Sequence, residues 1–299
     1  MVLTTYEIAN HPGLHGSIRQ QSRALLAAYE TNPRLGSVFA TQQRWLMAHS
    51  ALSLFFRRGS DIRGGFNAAR FFDLIRQHGV ASRNTADAFL KEMLKYNFAR
   101  YSANASGDRR IRDIEPTQPS LEALHGWAAA HLMTLDSMDG GSRAERYLAT
   151  PDALGRLQPL IADGLLTSKP IREPAKTFSL FTWLNNGGVV MDWLIAGIEP
   201  MAPEADRVPT GVLSIADMAG WLKLSRTHLA RKLHEAEAMG SIGWEGKRGR
   251  SVMWVSNTFR MEYAAAQATK LAIIDAAFDA CFRGAPADTV KQAKAYQRV

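Results

Sequence analysis

Two short stretches of the chain gather side chains able to grip a polyanion and to read polar edges. The first carries Arg83, Asn84, Asp87 and Lys91, followed by Arg109 and Arg110; the second carries Arg226, Thr227 and Arg231, followed by Lys247, Arg248 and Arg250. Lys and Arg neutralise phosphates, while Arg, Asn and Thr supply the directed hydrogen bonds that base edges in a major groove accept or donate. Asp87 opposes phosphate, but it can accept from cytosine or orient a neighbouring arginine. Any single charged residue of this kind is as readily a solvated helix face as a contact, so the signal lies in the set. His228 lies beside the second set and is ambiguous. Composition agrees without deciding the matter: 36 Lys and Arg against 28 Asp and Glu leave a net charge of +8, with an isoelectric point near 9.7, which suits a polyanionic partner and also suits many proteins that have none.

Other chemistries have less support. The eight histidines show no zinc-ligand spacing with the single cysteine, Cys281. His125 and His131 are six apart, so on a helix they point in different directions, and His11 with His15 stands in an N-terminal segment expected to be mobile. His49 and His131 read as core histidines, and Trp127, Trp183 and Trp193 as packing residues. There is no phosphate-binding glycine loop, serine elbow or paired-carboxylate motif. No enzyme, metal site or cofactor is therefore expected. One cysteine excludes an intrachain disulfide and fits a reducing compartment, and the first residues lack a basic head followed by an apolar run. The most hydrophobic segment, Phe178 to Ile198, reads as helical but is interrupted by Asn185, Asn186, Gly187, Gly188 and Asp192, which are costly in lipid. A cytoplasmic protein with no membrane partner is expected.

The elements that must position these side chains follow from periodicity. Ser82 to Glu115 reads as a helix followed by a two-stranded ribbon. Ala86, Leu90, Met93 and Asn97 share one side of the helix, Ser82 is its N-cap and Asn97 its left-handed end. Phe98–Tyr101 and Arg110–Ile114 alternate as strands, joined by the turn-forming run from Ala103 to Asp108. Upstream, helices are expected from Gly16 to Glu30, Thr41 to Arg57 and Phe66 to His78, with Gly79-Val80-Ala81 as a tight turn into Ser82. Downstream comes a helix from Pro119 to Met138. Asp139-Gly140-Gly141-Ser142 then reads as a flexible join between two domains, 1–140 and 141–299.

Beyond that join the order returns. Pro151 to Gly164 is helical in pattern, and Pro200 to Pro209 reads as a loop. A helix from Ser214 turns at Lys223-Leu224 into a second one, Ser225 to His234. The strands Ile242–Glu245 and Ser251–Val255 flank the basic tip Gly246–Arg250, and an alanine-rich helix runs from Thr258 to Phe282. A shift of 143 residues lays Ser225 on Ser82, Leu229 on Ala86, Leu233 on Leu90, Gly240 on Asn97 and Trp244 on Tyr101. Identity is low, but the physical role at each position agrees.

The segment Ser106-Gly-Asp-Arg-Arg-Ile-Arg-Asp-Ile-Glu-Pro-Thr117 resembles the wing of the MarR (multiple antibiotic resistance regulator) family, in which an Asp-Arg-Arg run precedes a strand and a long helix. The resemblance implies a mainly α fold with small β wings, here as two tandem winged helix-turn-helix domains joined by a helical pseudo-dimer interface. It implies a sequence-specific transcriptional regulator, a repressor, whose unequal recognition helices enter successive major grooves of double-stranded DNA. It gives Arg109 and Arg110 the wing role, with Asp108 pairing one of them. It also implies release by a small aromatic effector, at a pocket the sequence does not identify. The chain would act as a monomer, carrying its dimer internally. The second ribbon has the charge of Lys247, Arg248 and Arg250 without the Asp-Arg-Arg spacing. A different class of function, winged helices used as a protein-interaction scaffold, fits the same pattern.

Overall fold

The computed structural model describes residues 2–39, 41–57, 65–102, 112–174, 176–182, 184, 186–198 and 205–283. Asp108, Arg109, Arg110 and Trp183 lie outside the described residues. The described chain is mainly helical with small antiparallel sheets. Its elements begin with α1 (Thr5–Ala9), α2 (Leu14–Thr31), α3 (Pro33–Val38), α4 (Gln42–Phe56), α5 (Ala68–Gln77) and α6 (Arg83–Lys95). The ribbon β1 (Ala99–Tyr101) and β2 (Ile114–Pro116) follows, then α7 (Gln118–Asp139), α8 (Arg143–Ala149), α9 (Ala153–Thr167), α10 (Lys169–Arg172), α11 (Lys176–Thr182) and α12 (Gly187–Ala196). The last are β3 (Arg207–Pro209), α13 (Ile215–Trp221), α14 (Arg226–Ala238), β4 (Ile242–Trp244), β5 (Met253–Ser256) and α15 (Asn257–Phe282). No helix among them is long and apolar enough to cross a membrane.

The chain forms two compact units that do not follow a division at residue 140. One comprises Met1–Ile8, Leu46–Thr167 and Lys270–Val299; the other comprises Ala9–Trp45 and Ser168–Thr269. In the first unit, Phe71 and Ile75 of α5, Phe89, Leu90 and Met93 of α6 and Ile114 of β2 form the buried base of the helix pair and its ribbon. Each such side chain contributes about 1.5–3 kcal/mol of transfer free energy. The expected flexible join is a fastened turn within this unit. Gly140 takes the left-handed conformation (φ 71°), and the Arg143 guanidinium reaches Asp139 at 2.7 Å, Asp275 at 2.6 Å and Asp136 at 3.2 Å. Two glycines between polar residues gave no hint of a carboxylate, Asp275, reaching in from a distant helix.

In the second unit α2 packs along α12. Arg19 and Arg23 donate to the carbonyls of Ile198 and Ala196 at 3.0 and 3.2 Å, placing cations at the negative end of the α12 dipole. His15 is in the first turn of α2 rather than in a mobile tail. Burial and the nearby Arg260 charge hold its imidazole below the usual range. The segment Phe178 to Ile198 is not one helix but two, α11 and α12. Asn186 takes a left-handed conformation (φ 58°) between them, and a Cβ on Gly187 would lie 1.7 Å from the Phe181 carbonyl oxygen, so only glycine lets the chain turn there. The Asn186 amide and the Tyr29 hydroxyl both donate to the Leu222 carbonyl, at 3.0 and 2.9 Å. They fix the end of α13 and hence the turn into α14.

Among the described residues, the segments 66–102 and 112–117 share a series of capping, turn and ribbon hydrogen bonds with 212–256. Asn67 caps α5 by accepting from the Arg70 N–H, and Ser214 caps α13 by accepting from the Asp217 N–H. At the turns, Val80 N–H donates to Ile75 O and Leu224 N–H to Ala219 O, with Gly79 and Lys223 left-handed at φ 60° and 54°. Ser82 and Ser225 cap the following helices, accepting from Thr85 and His228 N–H. Both helices end in the same motif: Phe98 N–H to Met93 O with Asn97 at φ 56°, and Ser241 N–H to Ala236 O with Gly240 at φ 71°. In the ribbons, Ser102 N–H meets Asp113 O as Glu245 N–H meets Val252 O, and Ile114 N–H meets Phe66 O as Met253 N–H meets Val212 O. The shift is 245 − 102 = 143 in the first strand and 252 − 113 = 139 in the second, so the second ribbon has a tip four residues shorter. It also gains a third strand, in the order β3-β5-β4.

Lys223 occupies the left-handed position that glycine fills at Gly79. A side chain costs about 1–2 kcal/mol there. Lys223→Gly is therefore expected to stabilise the second unit by about 0.5–1 kcal/mol, allowing for the greater freedom of glycine in the unfolded chain. A thermal melt that falls instead of rising would contradict this.

Candidate nucleic-acid interface

Each unit presents a capped helix whose inner face is buried and whose outer face is polar. On α6, Ala86, Phe89, Leu90 and Met93 point into the core, while Arg83, Asn84 and Lys91 are exposed. On α14, Leu229, Leu233 and Ala236 are buried, while Arg226, Thr227, His228 and Arg231 are exposed. Each helix begins at an exposed serine cap, where the helix dipole favours an anion.

The two faces differ in how much charge they leave free. On α6, Asp87 pairs with Lys91 at 2.6 Å, and the Arg83 guanidinium lies 4.9 Å from the centre of the Phe72 ring. Asp87 therefore holds a lysine rather than the neighbouring arginine expected from sequence, and Lys91 meets any partner already paired. On α14, Lys232 pairs with Glu235 at 2.7 Å. The hydrogen bond from its ammonium, with the Arg231 charge nearby, holds the Glu235 carboxyl below the usual range. Arg226 and Arg231 make no ion pair among the described residues.

The second ribbon's tip is an ordered turn. Arg250 N–H donates to Lys247 O at 3.0 Å, and the Ser251 hydroxyl accepts from Gly246 N–H while donating to Lys247 O, both at 3.0 Å. Lys247 and Arg250 project from it, exposed. Arg248 does not project with them. Its Nε lies 3.0 Å from Glu237 and its Nη2 donates to the Ala230 carbonyl at 3.3 Å, which folds it back onto α14. Of the residues read from sequence, the structure thus groups Arg226, Thr227 and Arg231 on one helix, with Lys247 and Arg250 on the ribbon that follows it.

Two cations went unread in the sequence. Arg112, at the loop end of the first ribbon, stacks 3.6 Å from the centre of the Tyr101 ring, and Arg207 stacks 4.5 Å from that of Trp254. Stacking restricts a guanidinium's rotamers while leaving its N–H edge available. The alternation of Arg110 and Arg112 ahead of β2 was the available signal for the first; nothing in the sequence marked the second.

His49, His125 and His131 pack within the first unit. His49 and His131 are both buried, against the two sides of Trp127 with ring centres 5.0 and 4.2 Å away. His49 Nδ1 meets Gln158 Nε2 at 2.9 Å, and His131 Nδ1 meets the Trp127 carbonyl at 2.7 Å. His125 pairs with the Tyr147 hydroxyl at 2.8 Å. No group of three or more metal-ligating side chains occurs among the described residues. Cys281 is half-buried, and burial pushes its thiol up. No protein-family model, curated protein or solved structure matches the chain.

Proposed function

We propose that this chain is a sequence-specific DNA-binding transcriptional regulator, a repressor of MarR-like design, carrying two winged helix-turn-helix heads in one polypeptide. The observation that supports this best is the second head. A serine-capped helix there exposes Arg226, Thr227 and Arg231, with neither arginine in an ion pair among the described residues, beside a ribbon that projects Lys247 and Arg250. Such a helix places directed donors at base edges, and the ribbon supplies phosphate contacts that fix its register. The repetition of the same hydrogen-bond pattern in the first unit makes that unit a second, weaker reader. The two heads would read unlike half-sites about one helical turn apart.

A protein-interaction scaffold draws support from one observation, the prior pairing of Lys91 with Asp87 in the first unit. Selection from random duplexes separates the two readings: a regulator recovers a defined site with two dissimilar halves, and a scaffold recovers none. Within the regulator reading, Arg231→Ala is expected to weaken binding about tenfold, in the range for a lost specific contact. Lys91→Ala is expected to weaken it less than about threefold, because the lysine already belongs to a surface ion pair. Equal losses in titrations at one salt concentration would contradict the ranking.

A further inference from the structure

We propose that Glu237 is a specificity-determining residue of the second head: it holds Arg248 away from the phosphates of a non-cognate duplex and yields it only when α14 is seated in its site. The inference rests on the DNA-binding reading above. Arg248 lies at the centre of the most basic tip in the chain, yet its guanidinium is divided between the Glu237 carboxylate and the Ala230 carbonyl. Ala230, His234 and Glu237 are spaced to share one flank of α14, and the His234 Nδ1 also lies 3.5 Å from the Glu237 carboxylate. The ribbon therefore rests one of its three cations on the helix that would enter the groove. The first unit uses the same economy with other residues, Asp87 holding Lys91.

Non-specific binding is built almost wholly from phosphate contacts. A carboxylate that occupies one cation lowers it directly. Seating α14 brings the ribbon closer to the backbone, and a phosphate can then displace Glu237. Specificity rises because the wrong complex is weakened more than the right one. The contact suits such an exchange. With 44% of the Arg248 side chain and 31% of the Glu237 side chain exposed, it is a surface pair that shifts an equilibrium by no more than about fivefold.

The test compares full-length wild type, Glu237→Gln, Arg248→Ala and the double variant on a random-sequence duplex and on a duplex recovered by selection, across a salt series. Glu237→Gln is expected to tighten the random duplex about threefold to fivefold and to steepen its salt slope by about 1, as one added phosphate contact does. The selected duplex should change less than about twofold, and the gain should vanish in the Arg248→Ala background. A gain that persists without Arg248, that is equal on both duplexes, or that is absent overturns the proposal, since general charge relief would then account for it or nothing would need accounting for. A wild-type chain that binds neither duplex overturns the DNA-binding reading itself, and this inference with it. The wild-type arm keeps that outcome distinct from the others. All three variants lie at exposed or half-exposed positions, so matching thermal melts will confirm that folding is unaltered.

Discussion

Arg143→Ala is expected to destabilise the first unit by about 3–5 kcal/mol, the cost of breaking a buried ion cluster by removing one partner. Only 10% of the Arg143 side chain and 3% of the Asp275 side chain are exposed, and three carboxylates converge on the one guanidinium. Its protonated form is held above the usual arginine range, first by the Asp139 hydrogen bond and then by Asp275 and Asp136. Without it, Asp136 still accepts from the Arg143 and Ala144 N–H groups and Asp275 from the Leu3 N–H, but their mutual repulsion would be unanswered. Arg143→Lys keeps the charge and loses the fork that reaches several carboxylates at once, so it should fall between alanine and wild type. Urea unfolding gives the comparison, and an alanine variant within about 1 kcal/mol of wild type, as an exposed pair would give, would contradict the account.

The second large effect is acid lability of the same unit. Burial, reinforced by the Lys270 charge, depresses the His49 imidazole to about 3 and His131 well below its usual value. The Gln158 hydrogen bond on His49 and the Trp127 carbonyl on His131 oppose this without reversing it. Both rings are therefore neutral when folded and free to protonate near 6.5 when unfolded. The unfolded chain binds more protons between these values, so stability falls as pH drops below about 6.5, by about 1.4 kcal/mol per unit for each histidine. For His49 alone the loss reaches about 5 kcal/mol near pH 3, comparable with the whole stability of many domains. Asp139, held low chiefly by its hydrogen bond from Arg143, adds a loss in the same direction at still lower pH. Urea midpoints measured at pH 7, 6 and 5 should fall progressively, and His49→Gln should lessen the slope. A midpoint flat across that window would contradict the assignment of two buried neutral histidines.

Local signals carried most of what was legible in the sequence. Ser82 and Ser225 as caps, and Asn97 and Gly240 as left-handed ends, are choices fixed by backbone geometry within a few residues, and the structure places each there. The second ribbon followed because side-chain alternation is equally local, whereas the second strand of the first, expected at Arg110–Ile114, lies at Ile114–Pro116 among the described residues. What escaped was long-range. Asp275 approaches Arg143 across 132 positions, which turned an apparent linker into a clamp and the expected break at residue 140 into the middle of a unit. The break between α11 and α12 needed the close passage of Gly187 by Phe181, invisible to a hydrophobicity pattern. Among the site residues, the Asp87–Lys91 pair lies at helical i,i+4 spacing and could have been read. The withdrawal of Arg248 onto Glu237 could not, because it depends on how the ribbon folds over its helix.

On the function proposed, the exposed cations of α14 and its ribbon bind duplex DNA. Fluorescence anisotropy of a labelled duplex with the full-length chain, repeated across a salt series, tests it most directly. With Arg226, Arg231, Lys247 and Arg250 free to meet phosphates or bases, the logarithm of affinity should fall linearly with the logarithm of salt, with a slope of about −3 to −4 if most of them contact phosphate. The slope should become shallower by about 1 in Arg250→Ala. Absence of duplex binding at low salt, or binding indifferent to salt, would contradict it.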